Sequence, residues 1–369
     1  MNGTDAKTDG GGTHGGGTHG GGTDPRTDVG ADCAADPAAD PAADPAAAPD
    51  ASAVLRTTRR LLEVDAAQGA RAAVPLVRRA LRRVPGRAAD PVAAPAPPAP
   101  GRGTAVSDHL AALAELCEVI GWILFDAGHY AAAHRMNARA LTLAERCGDR
   151  WTARLVLLNH SMLQSRTGRP RAAFRTAARV AGPRPLPARV DSLVLVRQAH
   201  AAAQLGGRDA ALELISRAGS RFLDGLSRHD PPWAWWIDRT ELTGHQGWVM
   251  SRLSLWDRAV PLLHEAATAR GPSYRHLFTA ELLAALARAG DWRETEALIA
   301  DVAPRAAGIG SARTTEALAG TAAALLRDPH APVPVRDAAV HLLASLPGPA
   351  APDRPDEGPE PGGGRSHPR

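Results

Sequence analysis

The chain is nearly without lysine: Lys7 is the single one among 43 basic residues. Arginine therefore carries almost all the positive charge, a bias that a GC-rich genome explains without any functional cause. Aromatic residues are few, with two tyrosines and four phenylalanines, and β-branched runs are short, which argues against a sheet core. Three cysteines, Cys33, Cys117 and Cys147, form no disulfide framework and no CxxC pair. A reducing cytoplasm fits them. The longest apolar run, residues 119–125, is far too short to span a bilayer, and the opening MNGTDAKTDG has no apolar signal region. There is also no P-loop, no GxGxxG after a strand, no GxSxG elbow, no HExxH and no Cys/His metal spacing. The expectation is a soluble cytoplasmic protein that is no enzyme and needs no cofactor or metal.

What is present is alanine and leucine, and with them helix. Of 369 residues, 1–52 and 347–369 are low in complexity. The first tail repeats GGGTH, with His14 and His19, and then DPAA. Glycine raises backbone entropy and proline blocks helix ladders, so these tails are expected to be disordered. Residues 1–50 hold nine aspartates and two basic residues, a balance of −7, which leaves +11 of the net +4 on the remainder. Residues 53–84 read as two short helices. The second puts Val74, Val77, Leu81 and Val84 on one face and Arg78, Arg79, Arg82 and Arg83 on the other. No aromatic anchor joins those arginines, which favours a solvated face on a docked helix over a membrane or nucleic-acid contact. Residues 85–105 are a proline-alanine linker.

From 106 to 346 the helical signal is continuous and repeats. The turns are marked by Gly128, Gly168, Gly206, Ser254 and Gly290, which lie 36 to 48 residues apart. Seven residues before each stand Gly121, Ser161, Ala199, Gly247 and Leu283. Five after stand Ala133, Ala173, Ala211, Ala259 and Thr295, and twelve after stand Ala140, Val180, Ala218, Ala266 and Val302. Small residues at fixed offsets on both helices of a pair let the two approach closely. Nine after the last three turns comes a larger apolar residue, Ile215, Leu263 or Ile299, with Ala177 in the second unit and Asn137 in the first. The pattern is of tetratricopeptide (TPR) type, though that repeat runs at ~34 residues. The expected fold is all-α: a right-handed TPR-like α-solenoid of about five helix hairpins, capped by helices within residues 311–346.

Five of eight tryptophans (Trp233, Trp235, Trp236, Trp248, Trp256) fall within 24 residues of the fourth unit. Pro231 and Pro232 are expected to open its first helix. This stretch, DPPWAWWIDRTELTGHQGWVMSRLSLWDRAVPLLHEA, together with LCEVIGWILFDAGHYAAAHRMNARALTLAERCGDRWTARLVLLNHSM, resembles the TPR-like region of XRE-type transcriptional regulators of high-GC bacteria. The resemblance covers roughly residues 53–346. RRLLEVDAAQGA is similar to the connector that follows the DNA-binding domain in that family. The resemblance implies a regulatory role for the array. No QxxxAxxxGVS-type pattern occurs, so no recognition helix is assigned.

In such arrays the first helix of each pair lines a concave groove. Positions two, six and nine before each turn should face it: Asp126, Trp122 and Val119; Arg166, Met162 and Asn159; Gln204, His200 and Arg197; Arg252, Trp248 and His245; Arg288, Ala284 and Glu281. Arg166, Arg252 and Arg288 share one offset and would form a basic rail for carboxylates or phosphates. Helix-dipole complementation asks for the same residue there. Asn159 suits a peptide backbone, and Trp122 and Trp248 suit apolar anchors, although packing is the commoner use of tryptophan. Asp238, Glu241 and His245 read as a surface hydrogen-bond cluster. The expectation is a regulator that binds a peptide or protein partner in the groove, a homodimer being compatible with the array. The alternative is a DNA-associated regulator acting through residues 56–83 or through a partner's reader.

Overall fold

The computed structural model describes residues 50–83 and 102–348, without the side chains of Arg83 and of residues 102–105. Residues 1–49 and 349–369 of the tails, Val84, and the linker up to residue 101 lie outside the described residues, while Ala51 and Ser52, expected in the first tail, already belong to a helix. Residues 102–105 belong to a helix, so the linker stops short of its expected end. Among the described residues the protein is all-helical, with no strand and no helix long and apolar enough to cross a membrane.

Two helices, α1 (Ala51–Gln68) and α2 (Ala70–Arg83), come first. They bury Val54, Leu61, Val74 and Val77 in the same cluster as Leu116 and Ile120 of α3. Arg78, Arg79 and Arg82 face solvent. Five consecutive helix pairs follow: α3 (Arg102–Asp126) with α4 (Tyr130–Cys147), and α5 (Arg150–Arg166) with α6 (Pro170–Ala178). Next come α7 (Ala188–Gln204) with α8 (Arg208–Leu223), then α9 (Arg239–Arg252) with α10 (Trp256–Thr268), then α11 (His276–Ala289) with α12 (Trp292–Val302). The chain ends in α13 (Ala312–Arg327) and α14 (Val333–Ser345).

The five turn residues do the same job. Gly128, Gly168, Gly206 and Gly290 have φ between 75° and 88°, and Ser254 takes φ 57°, alone among described non-glycine residues in a left-handed turn. The small positions meet inside each pair: Ala133, Ala173, Ala211, Ala259 and Thr295 are all fully buried. A Cβ on Gly247 would lie 2.8 Å from Leu263 Cγ, and one on Gly121 would lie 2.5 Å from Asn137 Oδ1. The irregular Asn137 is thus matched by a glycine across the pair. In the second pair Ser161 Oγ donates to the Ala173 carbonyl across the interface at 2.8 Å.

The tryptophan stretch departs from expectation. Pro232–Trp236 forms a short 3-10 turn, and α9 opens only at Arg239. The reason is a cap: Asp238 Oδ1 accepts the Glu241 amide at 2.9 Å, which sets the first helical residue after it. The turn packs sideways, with Trp233 Nε1 donating to the Trp151 carbonyl at 3.2 Å. α13 also departs from the role of an outer cap. Its first turn meets α3 through Asp126, and the glycine before it abuts the α1–α2 junction.

Candidate functional site

Arg313, in the first turn of α13, is the centre of the interior. Its Nε donates to Asp126 Oδ1 at 2.6 Å, and Ser311 Oγ donates to the same oxygen at 2.9 Å. Its guanidinium carbon stands 4.5 Å from the Phe125 ring centroid and 5.1 Å from that of Trp122. Trp122 gives its Nε1–H to Asp65 Oδ2 at 3.0 Å and meets Tyr274 edge-on. Burial, and then the charge of Asp126, push the Asp65 carboxyl up to about 6. Trp122 and Asp126, expected to face a groove, are instead held by Asp65 of α1 and Arg313 of α13 in the same chain.

Asn159 has an internal partner as well. Its Nδ2 donates to Glu118 Oε1 at 2.6 Å in a buried contact. Burial pushes the Glu118 carboxyl up to about 8, from an ordinary 4.5. Because the folded value is the higher one, folding takes up a proton, and stability falls as pH rises from near 5 to near 8. Glu118→Gln keeps the carbonyl acceptor for Asn159 and removes the charge. In urea unfolding it should match the wild type near pH 5 and exceed it at pH 8. An equal difference at both pH values would refute this reading.

Deeper in, α7 and α9 face each other. Arg197, His200, Glu241 and His245 are all buried, at 4–6 % exposure. The supposed surface cluster of Asp238, Glu241 and His245 is therefore an interior one, apart from the capping Asp238. It is buried because Arg275, 8 % exposed, closes over it. Arg275 Nη2 donates to Asp238 Oδ2 at 2.7 Å, and its Nε lies 3.5 Å from Glu241 Oε2. His245 Nδ1 and His200 Nε2 are 3.0 Å apart, and Trp248 lies parallel to His245 and edge-on to His200. Burial lowers the pKa of both imidazoles, so both are neutral at pH 7. Among the described residues no cluster of histidine, cysteine and carboxylate has metal-site geometry.

Arg166, Arg252 and Arg288 line one cleft between α9, α11 and α13, about 830 Å3 in volume. Sequence spacing led to a basic rail; the cleft itself is balanced. Glu281, Glu316 and Asp328 line it too. Arg166 pairs with Glu316 and donates to Tyr130 Oη at 3.3 Å. Arg252 lies over the Trp248 ring, 5.1 Å from its centroid. Burial raises the Glu281 carboxyl, and Arg252, Arg288 and Arg166 oppose that shift. Trp256 and Trp292, the first residues of α10 and α12, form apolar wall. Of the three acids, Glu281 stands at a repeat offset, whereas Glu316 and Asp328 lie outside the five repeats, so repeat offsets carry no signal for them. Arg313 was missed for the same reason. No family model matches the chain, and no curated protein matches it.

Proposed function

We propose that this chain is a non-enzymatic regulatory protein: a right-handed TPR-like α-solenoid of five hairpins that binds a peptide or protein partner in the cytoplasm. One observation carries the reading. Three arginines from the first helices of three hairpins meet in a single cleft with Trp256, Trp292, Glu281 and Glu316. A wall with alternating charge and aromatic surface suits an extended peptide, whose backbone and side chains present both donors and acceptors. The resemblance to XRE-type regulators supports placing it in transcriptional or developmental control. Because Asp126–Arg313 and Arg166–Glu316 join the first pairs to α13, ligand binding in the cleft would be felt across the array, as a change of curvature or of dimerisation.

The test is a triple variant, Arg166→Ala, Arg252→Ala and Arg288→Ala, against a partner captured by the wild type. Affinity should fall at least ~10-fold, since interface arginines are common hot spots. Unchanged affinity in a triple variant with wild-type circular dichroism would sink the proposal.

A further inference from the structure

Below the cleft, and sharing Arg166, Arg252, Glu281 and Ala317 with it, lies a narrower chamber. It has about 40 Å3 of water-accessible space, room for about three waters at ~10–15 Å3 each. Its charges are unevenly answered. Arg313 pairs with Asp126 and Arg166 with Glu316, while Arg252 and Arg197 have only the longer-range attraction of Glu281 and Glu241. Arg197 forms no ion pair among the described residues, although its guanidinium is a cation at neutral pH, lowered by burial only to about 10. Its one hydrogen bond goes from Nη1 to His245 Nε2, at 3.4 Å, and its buried Nε has no partner.

That single bond is contested. Glu241 Oε1 stands 3.3 Å from the same His245 Nε2. An arginine can only donate and an ionised carboxylate can only accept. If Nε2 carries a lone pair it serves Arg197, and Glu241 faces that lone pair. If Nε2 carries a proton it serves Glu241, and Nη1 of Arg197 faces N–H. With the lone pair, Glu241 keeps only Arg275, whose Nε lies 3.5 Å from its Oε2; with the proton, the buried Arg197 loses its one hydrogen bond, which is a costly arrangement. A second buried donor in the chamber wall, Trp248 Nε1, also lacks an acceptor. Both unmet needs are for an acceptor. A water molecule would meet that of Trp248, but a single neutral acceptor matches the fork of the Arg197 guanidinium less well than the two oxygens of a carboxylate do.

We propose that the chamber is a binding site for a carboxylate group, which takes the Arg197 guanidinium and frees His245 Nε2 to donate to Glu241. The planar guanidinium matches a carboxylate in shape, and a chamber of this size admits the carboxylate with little more than its neighbouring carbons. The group can belong to a small organic acid or to the free C-terminus of a peptide whose remainder lies in the outer cleft. Both sources present the same two oxygens to Arg197.

Acetate is the probe. In protein with 15N-labelled histidine, acetate titrated against chloride at constant ionic strength should convert His245 from the Nδ1–H to the Nε2–H tautomer in a saturable way. Arg197→Gln should weaken that response at least ~10-fold, the effect of losing a charged hydrogen-bond partner. Ala317→Phe fills the chamber from α13 with Arg197 itself unchanged and should abolish the response, which keeps a test available if the Arg197 variant does not fold. The source is separated by the tripeptide Ala-Ala-Leu with a free and with an amidated C-terminus. Displacement of acetate by the free form alone assigns a peptide terminus, and displacement by neither assigns a small acid. No tautomer change in the wild type, or an equal change in Arg197→Gln or Ala317→Phe, overturns the proposal. A null acetate titration alongside a triple cleft variant that loses its partner would refute the chamber and leave the cleft reading standing.

Discussion

Replacing Asp126 by alanine should destabilise the protein by about 3–5 kcal/mol, the range for breaking a buried ion pair by removing one member. Asp126 is 1 % exposed and Arg313 is 5 % exposed. Without the carboxylate, the Arg313 guanidinium stays buried between Phe125 and Trp122, where its remaining contact is a weak one to Met162 Sδ at 3.9 Å. Ser311 Oγ loses its acceptor as well. The loss would be read from urea unfolding followed by tryptophan fluorescence, which reports from Trp122 beside the break. The double change Asp126→Leu with Arg313→Met separates charge from shape. It removes both ions together and fills the space with apolar atoms, so it should recover most of the stability lost by either single change. A single-variant loss below about 1 kcal/mol would mean that water reaches the pair and screens it, as at a surface. A second readout follows from the same geometry. The Asp65 carboxyl is held near 6 in part by repulsion from Asp126, so it should titrate lower in the alanine variant.

This pair also marks the boundary of what could be read from the sequence. Within a hairpin the rules are local. A left-handed turn needs glycine or a small polar residue, and spacing alone puts Ser254 among the glycines, in agreement with its φ of 57°. A close helix crossing needs small residues on both sides, and Ala133, Ala173, Ala211 and Ala259 are fully buried for that reason. The same periodicity predicts a groove for Trp122, Asp126, Arg197, His200 and His245, whereas Asp126, Arg197, His200 and His245 are buried against other elements. What periodicity cannot supply is the group they meet. Asp126 and Arg313 are 187 residues apart, and nothing in a helical pattern ties α13 to α3 rather than to solvent. The candidate Asn159 was read as a peptide clamp, yet its amide goes to Glu118, one helix pair earlier. Pro231 and Pro232 were read as a helix start, but a cap three residues before Glu241 overrode them. In each case a side chain on a distant or competing element decided the outcome.

The crossing of α1–α2 with the start of α13 is the other place where a single atom should have a large effect. Gly69, at φ 83°, joins α1 to α2 and lies directly against Gly310. A Cβ on Gly310 would sit 2.2 Å from the Gln68 carbonyl oxygen and 2.7 Å from Gly69 Cα. These are backbone atoms, so no rotamer change relieves the overlap. The two segments must move apart, and with them go the hydrogen bonds that tie them. The Arg71 amide donates to the Gly310 carbonyl at 2.9 Å, and Arg71 Nη2 donates to Thr315 Oγ1 at 3.2 Å. Gly310→Ala should therefore cost at least the ~1–3 kcal/mol typical of overpacking, at the upper end because backbone meets backbone. Gly308→Ala is the control, since a Cβ there meets nothing within 4 Å; it should leave the melting temperature nearly unchanged. Hydrogen exchange makes the test local. The Arg71 amide should lose protection in Gly310→Ala, while the Ala173 amide, bonded to the Arg169 carbonyl at 3.0 Å in the second hairpin, should keep it. Retained protection at Arg71 would show that α13 can give way without releasing α2.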